Sequence, residues 1–402
     1  MTQSRQELFE VIDQADPIKL LGELIRIPSH RGLERQEEGV ARALARYLGS
    51  HGLAVRLEEV VEGRPNLTCT LEGEERGRHL LLCGHTDTVP LNEDDEGVGF
   101  SGLVRNGKIE GRGSVDMKGA LAAMAAAMVG LHKADALPRG KVTLAAIIDE
   151  EMESLGAEHL VASGFQADGA IVGEPTENRL SLGHKGLEWL EFRFQGKAAH
   201  GGTPRSGINA IDAAARFIEL VRTELVPRFS ERADELLGPP TLNFGTIRGG
   251  DQPSTVAANC TLTADRRSVP GETFESMTQE LRALLDQVER EMPGLLAGLV
   301  RVPGGMATLE HVALKTEADH PVAESTTNAI QELYGALGEP GDFPAWTDGA
   351  LLAEFGGIPT VILGPGNLQL AHSPREAIEE DQVLEAARLY ALAALDFCPG
   401  AE

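Results

Sequence analysis

The stretch HLLLCGHTDTVP, residues 79–90, stays apolar until it reaches His85, with Asp87 two positions further on. An imidazole and a carboxylate at the end of a buried strand form either a hydrogen-bonded core pair or part of a metal or proton-transfer site. Three other apolar runs close in the same way. KVTLAAIIDEE ends on Asp149, Glu150 and Glu151, GAIVGEP on Glu174, and VILGPGNLQLAH reaches His372 in a loop beyond its strand. GRGSVDMKG adds Asp116 from a glycine-rich loop ahead of a helix. Taken singly, each has a plainer reading: a core histidine, a solvated acidic face, a tight turn or an anion loop. GRGSVDMKG lacks the full spacing of a phosphate loop. Jointly the plain readings fail, because ligands of open α/β sheets collect at the carboxyl ends of strands and these residues recur there.

Two imidazoles and several carboxylates, with no thiolate, suit zinc, with manganese or cobalt as alternatives. Charge decides between one ion and two. One dication among Asp116, Glu151 and Glu174 would leave the site negative and a poor Lewis acid, whereas two leave about +1, which a hydroxide neutralises. A water shared by such a pair loses its proton near neutral pH and attacks a polarised carbonyl.

The elements that must carry these residues alternate. Helix-spaced VARALARYLGSHGL is followed by strand-like AVRLEEV, LTCTLEG and HLLLCGH, then by helix KGALAAMAAAMVGLHKA, strand KVTLAAIID, a helix from Ser154 and strand GAIVGEP. IPTVILGPG and EEDQVLEAARLYALAALDF return to the same pattern near the end. The fold class is therefore α/β, a mixed and mostly parallel sheet flanked by helices. Residues 186–318 differ. Strand LEWLEFRFQG, helix GINAIDAAARFIELVRTEL, strands PTLNFGTIRGG and STVAANCTLTADRR, helix ETFESMTQELRALLDQVEREM and a weaker strand near Ala307–Lys315 spell βαββαβ. That order predicts an inserted, ferredoxin-like α+β domain, splitting the catalytic domain into residues 1–185 and 319–402. Gly183 and Gly186 mark candidate hinges at the first joint.

Composition narrows the partners. Sixty-two acidic against thirty-six basic side chains give a formal charge of -26, which opposes nucleic acid and anionic membrane surfaces. No run approaches the roughly 18–20 consecutive apolar residues of a membrane span, and the start reads as an acidic amphipathic helix, so a cytoplasmic protein is expected. Cys69, Cys83, Cys260 and Cys398 are scattered without CxxC spacing, which argues against a thiolate metal site or a disulfide framework.

The motifs GHTDTVP, GRGSVDMKG, DEEMESLGA, VGEPT, GKAAHGGTP, TLNFGTIRGG, ADRRSVPGE, TDGALLAEFGGIP and GPGNLQLAHSPREAI, in this order, resemble the dinuclear zinc peptidases and deacylases that include glutamate carboxypeptidase, acetylornithine deacetylase and succinyl-diaminopimelate desuccinylase. The resemblance spans nearly the whole chain. It implies that His85 and Glu174 hold one Zn2+, that Glu151 and His372 hold the other, and that Asp116 bridges them, with a cis peptide between Asp116 and Met117. It implies that Asp87 accepts a hydrogen bond from the His85 ring and that Glu150 is the general base and later acid. His200, in GKAAHGGTP, would stabilise the oxyanion, often from a partner subunit, which implies a homodimer through the inserted domain. Asn243 and Arg267 would bind the substrate carboxylate, with Arg266 competing for that place. Ser254 and Ala257 depart from the usual pattern in STVAANC and weaken any substrate contact drawn for that loop.

The expected protein is a metal-dependent amidohydrolase acting on an N-acyl amino acid or short peptide with a free carboxylate. It is acetylornithine deacetylase- or desuccinylase-like, with a glutamate carboxypeptidase-like exopeptidase or a dipeptidase as the alternative. More distant rivals are a dinuclear phosphatase, for which the nearby cations are mainly Lys118 and Lys185, and a non-catalytic binding protein, from which a ligand or the base should be missing.

Overall fold

Apolar strands from both ends of the chain build one nine-stranded sheet, as seen in a computed structural model that describes residues 3–92, 99–137, 139–302, 309–336 and 338–399. Its order is Val55–Val61, Arg64–Glu72, Arg139–Ile147, Glu75–His85, Gly169–Val172, Thr360–Ile362, Ser181–His184 and Leu314–Lys315, with Gly341–Phe343 also paired to Ser181–His184. The four central strands, Arg139–Ile147 through Thr360–Ile362, run parallel, and antiparallel strands extend the sheet on either side. Parallel strands buried on both pleat faces need continuous apolar sequence, and Leu80, Leu81, Leu82, Val142, Leu144, Ile171 and Val361 supply it. The helix Gly119–Lys133 has an almost uniform alanine, methionine and leucine surface. It is buried all round, packed on the Glu75–His85 and Arg139–Ile147 strands and under the helices Gln3–Gln14, Pro17–Ile25 and Glu380–Phe397. Ser114–Lys133 is long and apolar enough to cross a membrane, but 94% of that stretch is buried within the protein, as a core helix should be.

The contacts divide the chain into two compact units, Met1–Gly183 with Leu314–Phe343 and Thr347–Glu402, and His184–Ala313 with Pro344–Trp346. In the second, strands Glu188–Gln195, Thr241–Gly249, Asn259–Arg267 and Leu296–Arg301 alternate with helices Ala210–Leu220 and Phe274–Glu291 in the order βαββαβ. The strands are antiparallel and lie in the order second, third, first, fourth, the split ferredoxin-like arrangement. Phe192, Phe194, Phe217 and Leu281 meet in its core, between the sheet and its two helices.

Two details differ from the sequence expectation. The fourth strand is Leu296–Arg301, directly after its helix, whereas residues 307 and 308 of the expected strand lie outside the described residues and Leu314–Lys315 joins the large sheet. Short alternating patterns do not say which sheet will receive them. The segment Pro344–Trp346 also belongs to the second unit, because the Trp346 ring stacks on His311 with centroids 4.0 Å apart and its indole donates to the Val312 carbonyl at 3.1 Å.

Candidate metal centre

Register brings the first ligands level. His85 is the last residue of its strand and pairs with Ile147, so Ile148 to Glu151 follow directly beside it. On the other side Cys83 pairs with Val172, and Gly173 and Glu174 continue past it. Neighbouring parallel strands thus release His85, Glu150, Glu151 and Glu174 at one end of the sheet. Asp116 enters from the segment Ser114–Lys118, ahead of the core helix, and its peptide bond to Met117 is cis. His372 arrives from the loop after Thr360–Ile362 and has a left-handed backbone, φ 58°.

The side chains converge. The His85 Nε2 atom lies 2.9 Å from Asp116 Oδ1, 3.5 Å from Glu174 Oε1 and 4.0 Å from Glu150 Oε2. The His372 Nε2 atom lies 3.0 Å from Asp116 Oδ2 and 3.1 Å from Glu151 Oε1. Two donor groups result, His85–Asp116–Glu174 and Asp116–Glu151–His372, each with its atoms within 4.8 Å of one another, and Asp116 offers one oxygen to each. Nitrogen and oxygen donors in that number fit two zinc-type ions sharing a carboxylate.

Electrostatics point the same way. Burial raises the pKa of Glu150, Glu151 and Glu174, and the charges of neighbouring carboxylates add to it, Asp116 for Glu151 and Glu174 and Glu174 for Glu150. Burial opposes charge on His85, yet the surrounding Asp116, Asp87 and Glu174 hold its pKa well above the ordinary value. Asp116 and Glu151 push His372 up to about 10. Without cations the imidazoles are the nearest countercharge for a buried carboxylate cluster, and divalent ions would take over that duty.

Asp87 does more than the sequence suggested. Its carboxylate accepts the backbone N–H groups of Glu150 at 3.2 Å and Glu151 at 3.0 Å. The His85 Nδ1 atom sits 3.0 Å from the Asp87 carbonyl and 3.5 Å from the carboxylate. The ring is therefore oriented by Asp87 through its carbonyl and its nearby carboxylate, leaving Nε2 toward Asp116 and Glu174, and the same carboxylate ties down the turn that carries the two glutamates. Asp149, with φ 73°, makes that turn, and Arg64 holds it from behind through ion pairs to Asp149 and Glu37.

Sequence reasoning assigned no role to Asp348, Arg112, Glu376, Arg64 or Glu37. Asp348 is buried beside the cluster and its pKa is pushed up to about 7 by burial, with the neighbouring carboxylates adding to it. The available signal was an ionisable residue inside an otherwise apolar motif, as in TDGALLAEFGGIP.

The remaining expected site residues lie in the second unit. His200 is exposed, and its Nδ1 accepts the Gly202 N–H at 3.0 Å, which leaves the proton on Nε2. Asn243 is exposed and pairs across the strands with Asp265. Arg267 forks onto Asp265 at 2.7 and 3.0 Å, so its guanidinium is already matched by a carboxylate of its own strand. Arg266 is buried against Glu272 at 2.6 Å and over the Phe229 ring, a packing role.

The sequence profile of peptidase family M20/M25/M40 matches residues 81–396. The chain belongs to that family. Acetylornithine deacetylase from Photorhabdus laumondii is 31% identical over 382 residues, covering 90% of this chain and 92% of that protein. Among solved structures, aminopeptidase PepT from Bacillus cereus superposes with a TM-score of 0.80 at 21% identity, covering 97% of this chain and 98% of that one. A dinuclear metal-binding M20 peptidase from Bacillus subtilis superposes with a TM-score of 0.70 at 16% identity, covering 95% and 98%. At those identities the structures speak for the fold alone. As an M20 protein with acetylornithine deacetylases as relatives, the chain is a metal-dependent hydrolase of amide bonds.

Proposed function

We propose that this M20 hydrolase is an acetylornithine deacetylase-like enzyme, removing the acyl group of a small N-acyl amino acid that keeps a free carboxylate. The observation that carries the reading is the pair of donor groups sharing Asp116, with Glu150 beside them and outside both. His85 and Glu174 would hold one ion, Glu151 and His372 the other, and Asp116 both; zinc suits this donor set, with cobalt or manganese as alternatives. When bound, such ions polarise the scissile carbonyl and acidify water.

The chain's own groups do the rest. Glu150 takes the proton of the attacking water and passes it to the leaving amine, and its burial raises its pKa, which strengthens it as a base. His200 donates from Nε2–H to the developing oxyanion, since Nδ1 is already an acceptor. Asn243 contacts the substrate carboxylate, and Arg267 joins it by exchanging Asp265 for the ligand. A phosphatase is disfavoured, because Lys118 spends its ammonium on the Leu24 and Ile27 carbonyls and Arg112 pairs with Glu376, so neither is offered to a phosphate. The reading includes a homodimer through the second unit, and a cytoplasmic location supported by four unpaired, buried cysteines.

The test is a panel of acetyl, succinyl and glutamyl amino acids, acetylornithine among them, assayed with zinc, cobalt and manganese. Acetylornithine should be the preferred substrate. Faster cleavage of glutamyl amides or dipeptides would favour the carboxypeptidase alternative, and no metal-dependent hydrolysis of any amide would end the reading.

A further inference from the structure

Asp116 and His372 come from loops far apart in the chain, yet both must face one centre. Between them runs a continuous set of contacts. The strands Lys108–Glu110 and Ala377–Glu379 pair antiparallel, with Ala377 opposite Glu110, and the Gly111 N–H then donates to the Glu376 carbonyl at 3.0 Å. From there the Glu376 side chain takes over. Its Oε1 accepts the backbone N–H groups of Gly113 at 2.8 Å, Val115 at 3.0 Å and Asp116 itself at 3.3 Å. Its Oε2 accepts from Arg112 Nη1 at 2.5 Å, and the same nitrogen lies 3.5 Å from the carbonyl of Ser373, the residue after His372. Both side chains are almost wholly buried, 2% and 1% exposed.

A buried ion pair is weak support for stability, since desolvation of both charges offsets their attraction. What this pair supplies is position. We propose that Glu376, clamped by Arg112, is a positioning residue that sets the spacing of Asp116 and His372 and hence of the two metal positions. Three backbone N–H groups gathered on one carboxylate oxygen give the Asp116 loop a single shape. Glu376 follows the His372 loop directly, and the guanidinium that clamps it also reaches the Ser373 carbonyl, so the two ligand loops share one anchor. The inference rests on the reading that Asp116 and His372 hold metal.

The test uses full-length protein stripped of metal and titrated with Co2+, followed by visible absorbance and calorimetry with no substrate present. Two variants are compared with wild type: Glu376→Gln, and the double variant Arg112→Met with Glu376→Gln, which leaves no lone buried charge. Wild type should take up two equivalents. In the double variant thermal melting should stay close to wild type, the second equivalent should bind at least ten-fold more weakly, and the ligand-field bands should shift. Unchanged affinities and bands in a folded variant would overturn the proposal, and so would failure of both variants to fold, which would make the pair a general stability element. A wild type that binds no Co2+ would overturn the metal reading itself, an outcome distinct from either of these.

Discussion

Glu150 and Glu151 are neighbours in the chain with different surroundings. Glu151 lies 3.1 Å from His372 and belongs to a donor group, whereas Glu150 approaches His85 only to 4.0 Å. A carboxylate engaged as a ligand cannot also shuttle a proton, so the two should separate under mutation. In Glu150→Gln, metal content should stay at the wild-type level while turnover falls roughly a hundred- to ten-thousand-fold, the usual worth of a general base. In Glu151→Gln metal content itself should drop, read by elemental analysis. For Arg267→Ala, KM for an N-acyl amino acid should rise about ten- to a hundred-fold with kcat nearly unchanged, the size of a lost hydrogen bond to a charged group. A substrate amide lacking the carboxylate should not register the change.

At the level of elements, the strand ends carry the site and the turns between them aim it. Asp87 shows how. Its carboxylate satisfies the N–H groups of Glu150 and Glu151, so Asp87→Ala leaves two part-buried donors without their acceptor. A stability loss of about 1–3 kcal/mol is expected in denaturant titration of the metal-free protein. The joint glycines have packing reasons of their own. A Cβ at Gly183 would meet the Leu314 carbonyl of the neighbouring strand at 2.0 Å, and one at Gly186 the Ser268 hydroxyl at 2.1 Å and the His311 carbonyl at 2.7 Å, so neither position has room for a side chain. Gly183→Ala should lower the unfolding midpoint at a cost of about 1–3 kcal/mol.

For the whole molecule the charge cluster sets the response to pH. Asp348, Glu150, Glu151 and Glu174 have folded pKa values raised above their unfolded ones, so the folded state holds extra protons that it loses as pH rises; for Asp348 this is complete above about 7. His372, raised to about 10, contributes stability that is fully present below its ordinary value near 6.5 and is lost as pH rises through 10. Both effects have one sign, and Lys118, lowered to about 7 by burial, opposes them only above that pH. The Tm of metal-free protein should fall from pH 5 to pH 7, and the Tm gained on adding Zn2+ should grow over the same range. A flat metal-free profile would remove the cluster as its source. Assembly can be read by mixing two inactive variants, Glu150→Gln and His200→Ala. If His200 serves a partner's site, mixed dimers contain one intact centre and activity returns; recovery of none would remove the partner role.

Residue types and their places in local patterns were legible without coordinates. His85, Glu150, Glu151 and Glu174 end apolar strands, and a parallel sheet must deliver such residues to one side, so the site's chemistry and the α/β class follow from chain order and hydrophobic pattern. The first five elements of the βαββαβ insertion were readable for the same reason, whereas its last strand, Leu296–Arg301, was not. Tertiary structure alone decided what depends on meeting partners distant in the chain. The Asp87 carboxylate holds the Glu150 turn as well as facing the His85 ring, Arg267 is matched by Asp265, Leu314–Lys315 joins the large sheet, and Glu376 gathers the Asp116 loop. A side chain's type sets the bonds it can make, but which of several competing partners it finds is fixed only when the packed chain brings them within about 3 Å.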